Sequence, residues 1–184
     1  MKRLFPAWAG LLVVSAVCSG CGTSSSSSNS GLTLPSPVIA NVNGMWRGST
    51  TLVAVTGGEC VGPTLSPSVG GTGTSTLAVV QDGSDVTAKL TSAETGLGCQ
   101  YTGRVTLNSL ALDAASCSAE PVNIVVQCTN GSTRQLELIG STIAATVAGG
   151  VVSGTMADTF NVRDAEDKPV AGLVLNRTIS ATRR

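Results

Sequence analysis

The chain has 184 residues, with 11 Lys plus Arg against 11 Asp plus Glu; only 12% of residues are charged and 3% are aromatic. This leaves neither a basic patch nor aromatic side chains to interleave with one, which excludes a nucleic-acid-binding surface. There is no histidine, which removes Ser-His-Asp and Cys-His catalysis and every histidine-ligated metal.

In chain order, Lys2 and Arg3 precede a mostly apolar run, Leu4–Val17, followed by the small residues Ser19 and Gly20. This is the layout of a secretory signal peptide, and the run is short of the roughly 20 residues that a membrane-spanning helix needs. Ser19-Gly20-Cys21 after the apolar run resembles the signal of bacterial lipoproteins. The resemblance implies cleavage after residue 20, lipidation of Cys21 with palmitate among the acyl groups, and attachment to the membrane through that anchor. Gly22, rather than Asp, after the cysteine implies sorting to the outer membrane of the bacterial envelope. An ordinary cleaved signal with two incidental cysteines, Cys18 and Cys21, and a retained membrane helix are the other readings. Residues 21–40, rich in Ser and ending with Pro35 and Pro37, read as a tether that clears the headgroups.

The folded domain is predicted over residues 41–184. No helix-period apolar stripe of useful length appears, whereas period-two alternation recurs. Met45–Val55 is the first predicted strand, and Thr56–Gly73 a long Gly- and Pro-containing loop holding Cys60. Gly70-Gly71-Thr72-Gly73 lacks the lysine and the helix of a phosphate-binding loop and reads as flexible chain. Ser75–Val80 and Asp85–Thr91 flank an Asp-Gly turn, with Val86, Ala88 and Leu90 on one face. Cys99–Leu107 places Tyr101, Gly103, Val105 and Leu107 on one face, and Asn108-Ser109 turns the chain into Leu110–Ala115. Val122–Gln127 leads to an Asn130-Gly131 hairpin signal. Arg134–Ile139 and Thr142–Val147 are predicted to pair across Gly140-Ser141. Gly149-Gly150 turns into Val151–Val162, and a charged loop, Arg163–Pro169, precedes Val170–Ser180. Asp158, Asp164, Glu166 and Asp167 form an acidic cluster read as a solvated hairpin tip, since their spacing is not that of a calcium loop.

About ten short strands joined mostly by hairpins predict an all-β fold, an antiparallel up-and-down β-barrel of about eight to ten strands, with a β-sandwich as the alternative. A membrane-spanning barrel is rejected. It would carry outward aromatic girdles, and after the leader only Trp46, Tyr101 and Phe160 are aromatic. Gly44-Met45-Trp46 at the first strand resembles the G-x-W element of lipocalins and the wider calycin group. That resemblance implies a cup in which Trp46 closes one barrel end, with a basic side chain from late in the chain lying across it; Arg177 is the candidate.

With Cys18 removed and Cys21 lipidated, Cys60, Cys99, Cys117 and Cys128 remain, and four cysteines in an exported domain read as two disulfides. A zinc site would want a close cysteine pair, and none exists. The expected pairing is Cys60–Cys99 with Cys117–Cys128, because in a meander the Cys60 loop and the start of the Cys99 strand lie at one barrel end. Cys99–Cys117 with Cys60–Cys128 is the alternative, reached if Asn108-Ser109 is a hairpin tip that sets Cys99 opposite Cys117.

No catalytic constellation, cofactor motif or metal set emerges, so the chain is expected not to be an enzyme. The expected role is structural or interactive, as a lipid-anchored envelope protein. The alternative is a calycin-like binding module for a small apolar ligand or an envelope component, with a cavity lined by Val79, Val86, Leu90, Leu107 and Leu136 or their opposite faces. Nothing in the sequence sets the oligomeric state.

Overall fold

The computed structural model describes residues 38–184 apart from 59, 61–67, 94–97, 119–123, 165 and 167. The leader, Cys21 and the serine tether lie outside the described residues. All the regular elements described are strands: β1 (Gly44–Gly57), β2 (Thr72–Asp82), β3 (Asp85–Ser92), β4 (Gly98–Thr106), β5 (Ser109–Ser118), β6 (Ile124–Gln127), β7 (Thr133–Ala148), β8 (Val151–Arg163) and β9 (Pro169–Arg183). Each pairs antiparallel with its neighbours in the order β5-β4-β3-β2-β1-β9-β8-β7-β6, and β5 also pairs with β7. The β5–β7 pairing closes eight strands into an up-and-down barrel and leaves β6 as an extra strand on β7. Closure over Ser109–Asp113 and Thr142–Thr146 removes part of the edge that an open sheet of this length would present.

Alternation decides the inside. Val86, Ala88 and Leu90 of β3 are buried while Asp85, Thr87, Lys89 and Thr91 are exposed. Trp46, Tyr101 and Phe160 are 1%, 1% and 3% exposed, so the three aromatic side chains of the domain all pack inward. One apolar cluster surrounds Trp46, Leu77, Leu110 and Ile143; a second surrounds Leu52, Val126, Phe160 and Leu173. Glycine replaces a side chain where the wall is tightest. A Cβ on Gly154 would collide with the backbone of Ala144 and Ala145 on the adjacent strand.

The strand prediction departs from the fold in three places. The predicted hairpin across Gly140-Ser141 does not exist: β7 runs unbroken from Thr133 to Ala148, with a register shift between Leu138 and Gly140. The extra residue reverses the alternation, so Leu138 and Ser141 both face inward. A bulge and a turn share small residues at a break in alternation, which is why one was read as the other. The β4–β5 turn is Leu107-Asn108 rather than Asn108-Ser109; Leu107 takes a φ of 52° and is 55% exposed instead of facing the core. Finally, Gly70 and Gly71 are not loose: both exchange backbone hydrogen bonds with Leu52 of β1, at 2.8 and 2.9 Å.

Candidate functional site: a cup with one closed end

The short turns, 83–84, 107–108 and 149–150, all lie at one end of the barrel. There the segment before β1 folds across the opening. Val42 is fully buried, its N–H donates to Gln81 Oε1 (2.7 Å), and Ala40 N–H donates to the Leu107 carbonyl (2.6 Å). The Trp46 indole N–H donates to the Val42 carbonyl at 2.8 Å, which satisfies its one donor inside the core. The Arg183 guanidinium lies over the Trp46 ring, 4.9 Å from its centroid, and also donates to the Asn41 carbonyl. A basic residue from late in the chain does cross the tryptophan, but it is Arg183 and not Arg177. β9 runs antiparallel to β1, with Trp46 opposite Arg183 and Leu52 opposite Arg177. Six residues of strand therefore separate Arg177 from the tryptophan, roughly 20 Å at about 3.3 Å each.

At the other end the strands are joined by the longer connections, and the barrel holds a cavity of about 340 Å³. Its apolar wall includes Leu90, Leu136, Leu138, Met156, Phe160 and Leu175. Ser68, Gly71 and Thr72 stand exposed at its rim. The seam of the barrel explains why space remains here. β5 pairs with β7 only over Ser109–Asp113 and Thr142–Thr146, and the first residues of β7 pair instead with β6. The wall is thus split on the cavity side.

A polar chain from four strands borders the cavity, into which Tyr101, Asp158 and Arg177 face. The Tyr101 hydroxyl donates to Ser141 Oγ (2.8 Å), the Ser141 hydroxyl donates to Asp158 Oδ1 (2.7 Å), and Arg177 Nε donates to Asp158 Oδ2 (3.1 Å). Burial pushes the Tyr101 phenol up to about 12; the Ser141 bond opposes this and the neighbouring Asp158 charge adds to it. Burial also raises the Asp158 carboxyl above its ordinary value, against the hydrogen bond from Ser141 and the charge of Arg177. Thr50 and Ser75, both buried, add hydroxyls to the same cavity.

Sequence reasoning placed Asp158 in an acidic hairpin tip; it is instead 8% exposed on the inward face of β8, away from the Asp164 turn, where Asp164 accepts from the backbone of Glu166 and Lys168. Tyr101, Ser141 and Asp158 were not read as a unit. The signal was present: Met156-Ala157-Asp158-Thr159-Phe160 and Leu175-Asn176-Arg177-Thr178-Ile179 each set one charge among apolar residues at a spacing of two. Of the expected cavity residues, Leu90 and Leu136 line it, whereas Val79 and Val86 belong to the filled core around Trp46 and Leu107 is in a turn.

Both disulfides lie on the cavity side, and the expected pairing is overturned: the bonds are Cys60–Cys128 and Cys99–Cys117. Sharing a barrel end does not make two strands neighbours. Between the Cys60 connection and β4 stand β2 and β3, whereas Cys99 and Cys117 are direct register partners across β4 and β5. Two disulfides fit an oxidising compartment. Among the described residues no group of three or more metal-ligating side chains occurs, and no helix is long and apolar enough to cross a membrane. Comparison with known protein families, curated proteins and solved structures finds no match to this chain.

Proposed function

We propose that the protein is a non-catalytic binding module that holds a small, largely apolar ligand in the open end of its barrel, and that it is exported and tethered to the bacterial outer membrane through lipid on Cys21. The observation that carries the binding reading is the cavity. At about 340 Å³, it falls in the range of roughly 300–1,000 Å³ typical of small-molecule sites, and like them it is mostly apolar with a few convergent polar groups. A purely structural barrel would have filled this half as it fills the half around Trp46. The closed end, with Trp46 under Arg183, supports the likeness to calycin cups; the fold by itself assigns no ligand. The binding reading is tested with N-phenyl-1-naphthylamine, an apolar dye that brightens when sheltered from water. Saturable binding that Leu138→Trp blocks by filling the cavity is the expected result; a protein that ignores the dye refutes it. Anchoring is tested separately. A palmitate analogue fed to the host should label the protein, and Cys21→Ser should abolish the label; an unlabelled, freely soluble wild-type protein refutes it.

A further inference from the structure

The polar chain in the cavity has a direction, and its direction selects a head group. Tyr101 donates to Ser141, Ser141 donates to Asp158, and Arg177 donates to the other carboxylate oxygen. Asp158 ends the chain as an acceptor already served by two donors. Among the described residues the two terminal nitrogens of Arg177 have no partner, and the residue lines the cavity with its side chain 26% exposed. The capacity left over is a fork of N–H donors beside an apolar wall. A ligand must therefore bring an acceptor to that point, since a donor-only group such as an ammonium would face the guanidinium.

The charge of that acceptor follows from what already lines the site. Asp158 and Arg177 supply one anion and one cation, and among the described lining residues the remaining titratable group is the Tyr101 phenol. A carboxylate head group would be a second anion sharing one guanidinium inside a largely apolar cup, where like charges at short range penalise ionisation. A carbonyl or hydroxyl takes the same N–H groups and leaves the ion pair intact. We infer that the cavity selects an uncharged amphiphile, such as an ester or a long-chain alcohol, with its oxygen on the Arg177 fork and its hydrocarbon on Leu136, Leu138, Phe160 and Leu175. This rests on the binding reading above and specifies its ligand class.

The test is displacement of N-phenyl-1-naphthylamine from the exported protein at neutral pH by three ligands of matched chain length: methyl decanoate, decanoate and decane. Methyl decanoate is expected to compete about tenfold better than decanoate, the penalty of one unit of unfavourable ionisation. It should also beat decane by about tenfold, the worth of a good hydrogen bond. The double substitution Arg177→Met with Asp158→Asn, which leaves no lone charge behind, should erase the preference for ester over alkane. Decanoate binding as tightly as its ester, or the ester binding no better than decane, overturns the head-group assignment while the binding reading stands. Absence of dye binding, or dye binding that Leu138→Trp leaves unchanged, overturns both. Should the double variant not fold, the three-ligand comparison on the wild-type protein decides alone.

Discussion

Raising the pH turns Tyr101 into a reporter of the cavity. It is the single tyrosine of the chain, so tyrosinate absorbance in the near ultraviolet reads this residue and no other. In the folded protein its phenol is held at about 12 against an ordinary value of 10.0, chiefly by burial. Between those two values the folded state keeps a proton that the unfolded state has lost. Stability must then fall as pH rises from 10 toward 12, since the unfolded state binds fewer protons there. Two units at 1.36 kcal/mol each amount to about 3 kcal/mol, or a fall in Tm of very roughly 5–10 °C for a domain of this size. The comparison that isolates Tyr101 is with Tyr101→Phe. That variant loses the hydrogen bond to Ser141 and should be about 1 kcal/mol less stable at neutral pH, yet it escapes the alkaline loss. The two stability curves should cross a little below about pH 11. Guanidinium melts at stepped pH give the curves, and a rapid pH jump gives the absorbance midpoint of the still-folded protein. A folded-state midpoint near 10, or two curves that stay parallel, would show that Tyr101 is not buried against Ser141 and Asp158 as described.

Four further outcomes are expected. Asp158 is raised by burial, so the stability it contributes is fully present below the ordinary carboxylate value and is lost as pH rises through its folded value; the stability of the wild type relative to Asp158→Asn should therefore grow on acidification from neutral pH, read from denaturant melts. Removing the Cys60–Cys128 bond, whose separation is 68 residues, should cost about 4 kcal/mol in the loop-entropy model, against about 3 for Cys99–Cys117 at a separation of 18; non-reducing peptide mapping that links Cys60 to Cys99 would contradict both. Gly154→Val should destabilise by several kcal/mol or prevent folding, since any Cβ there meets the backbone of Ala144 and Ala145; a wild-type Tm would contradict this packing. Arg183→Ala should lose about 1 kcal/mol of stability and red-shift Trp46 emission, while Arg177→Ala leaves that emission unchanged.

Period two in the sequence was enough to place most strands and the barrel, because a wall with one buried face imposes alternation residue by residue. The same rule carries Asp158 to the inward face, although its charge groups it on sequence with the Asp164 turn; Arg177 follows the same alternation but lies six residues along β9 from the position opposite Trp46. What alternation does not carry is pairing at a distance. Trp46 finds Arg183 through the register of β1 with β9, and Cys60 finds Cys128 through the order of strands around the barrel; both are properties of the closed wall and not of any local stretch. The bulge in β7 escaped for a related reason. A one-residue slip of alternation near Gly140 reads the same on paper whether the chain reverses there or continues.

The short seam between Ser109–Asp113 and Thr142–Thr146 also sets how the wall moves. Strand pairs elsewhere run nearly the full depth of the barrel: β8 is matched to β7 from Val151 to Arg163 and to β9 over the same length. Opening the barrel along either of those lines breaks a long ladder, whereas opening it along the β5–β7 line breaks a short one. Amide protons along this seam should therefore exchange first, as a local event below the global unfolding energy. The Cys99–Cys117 bond ties β5 to β4 and the Cys60–Cys128 bond ties the end of β6 to the connection after β1, so a disulfide holds each flank of the seam to a neighbouring part of the wall. The shortest ladder of the barrel lies beside the cavity.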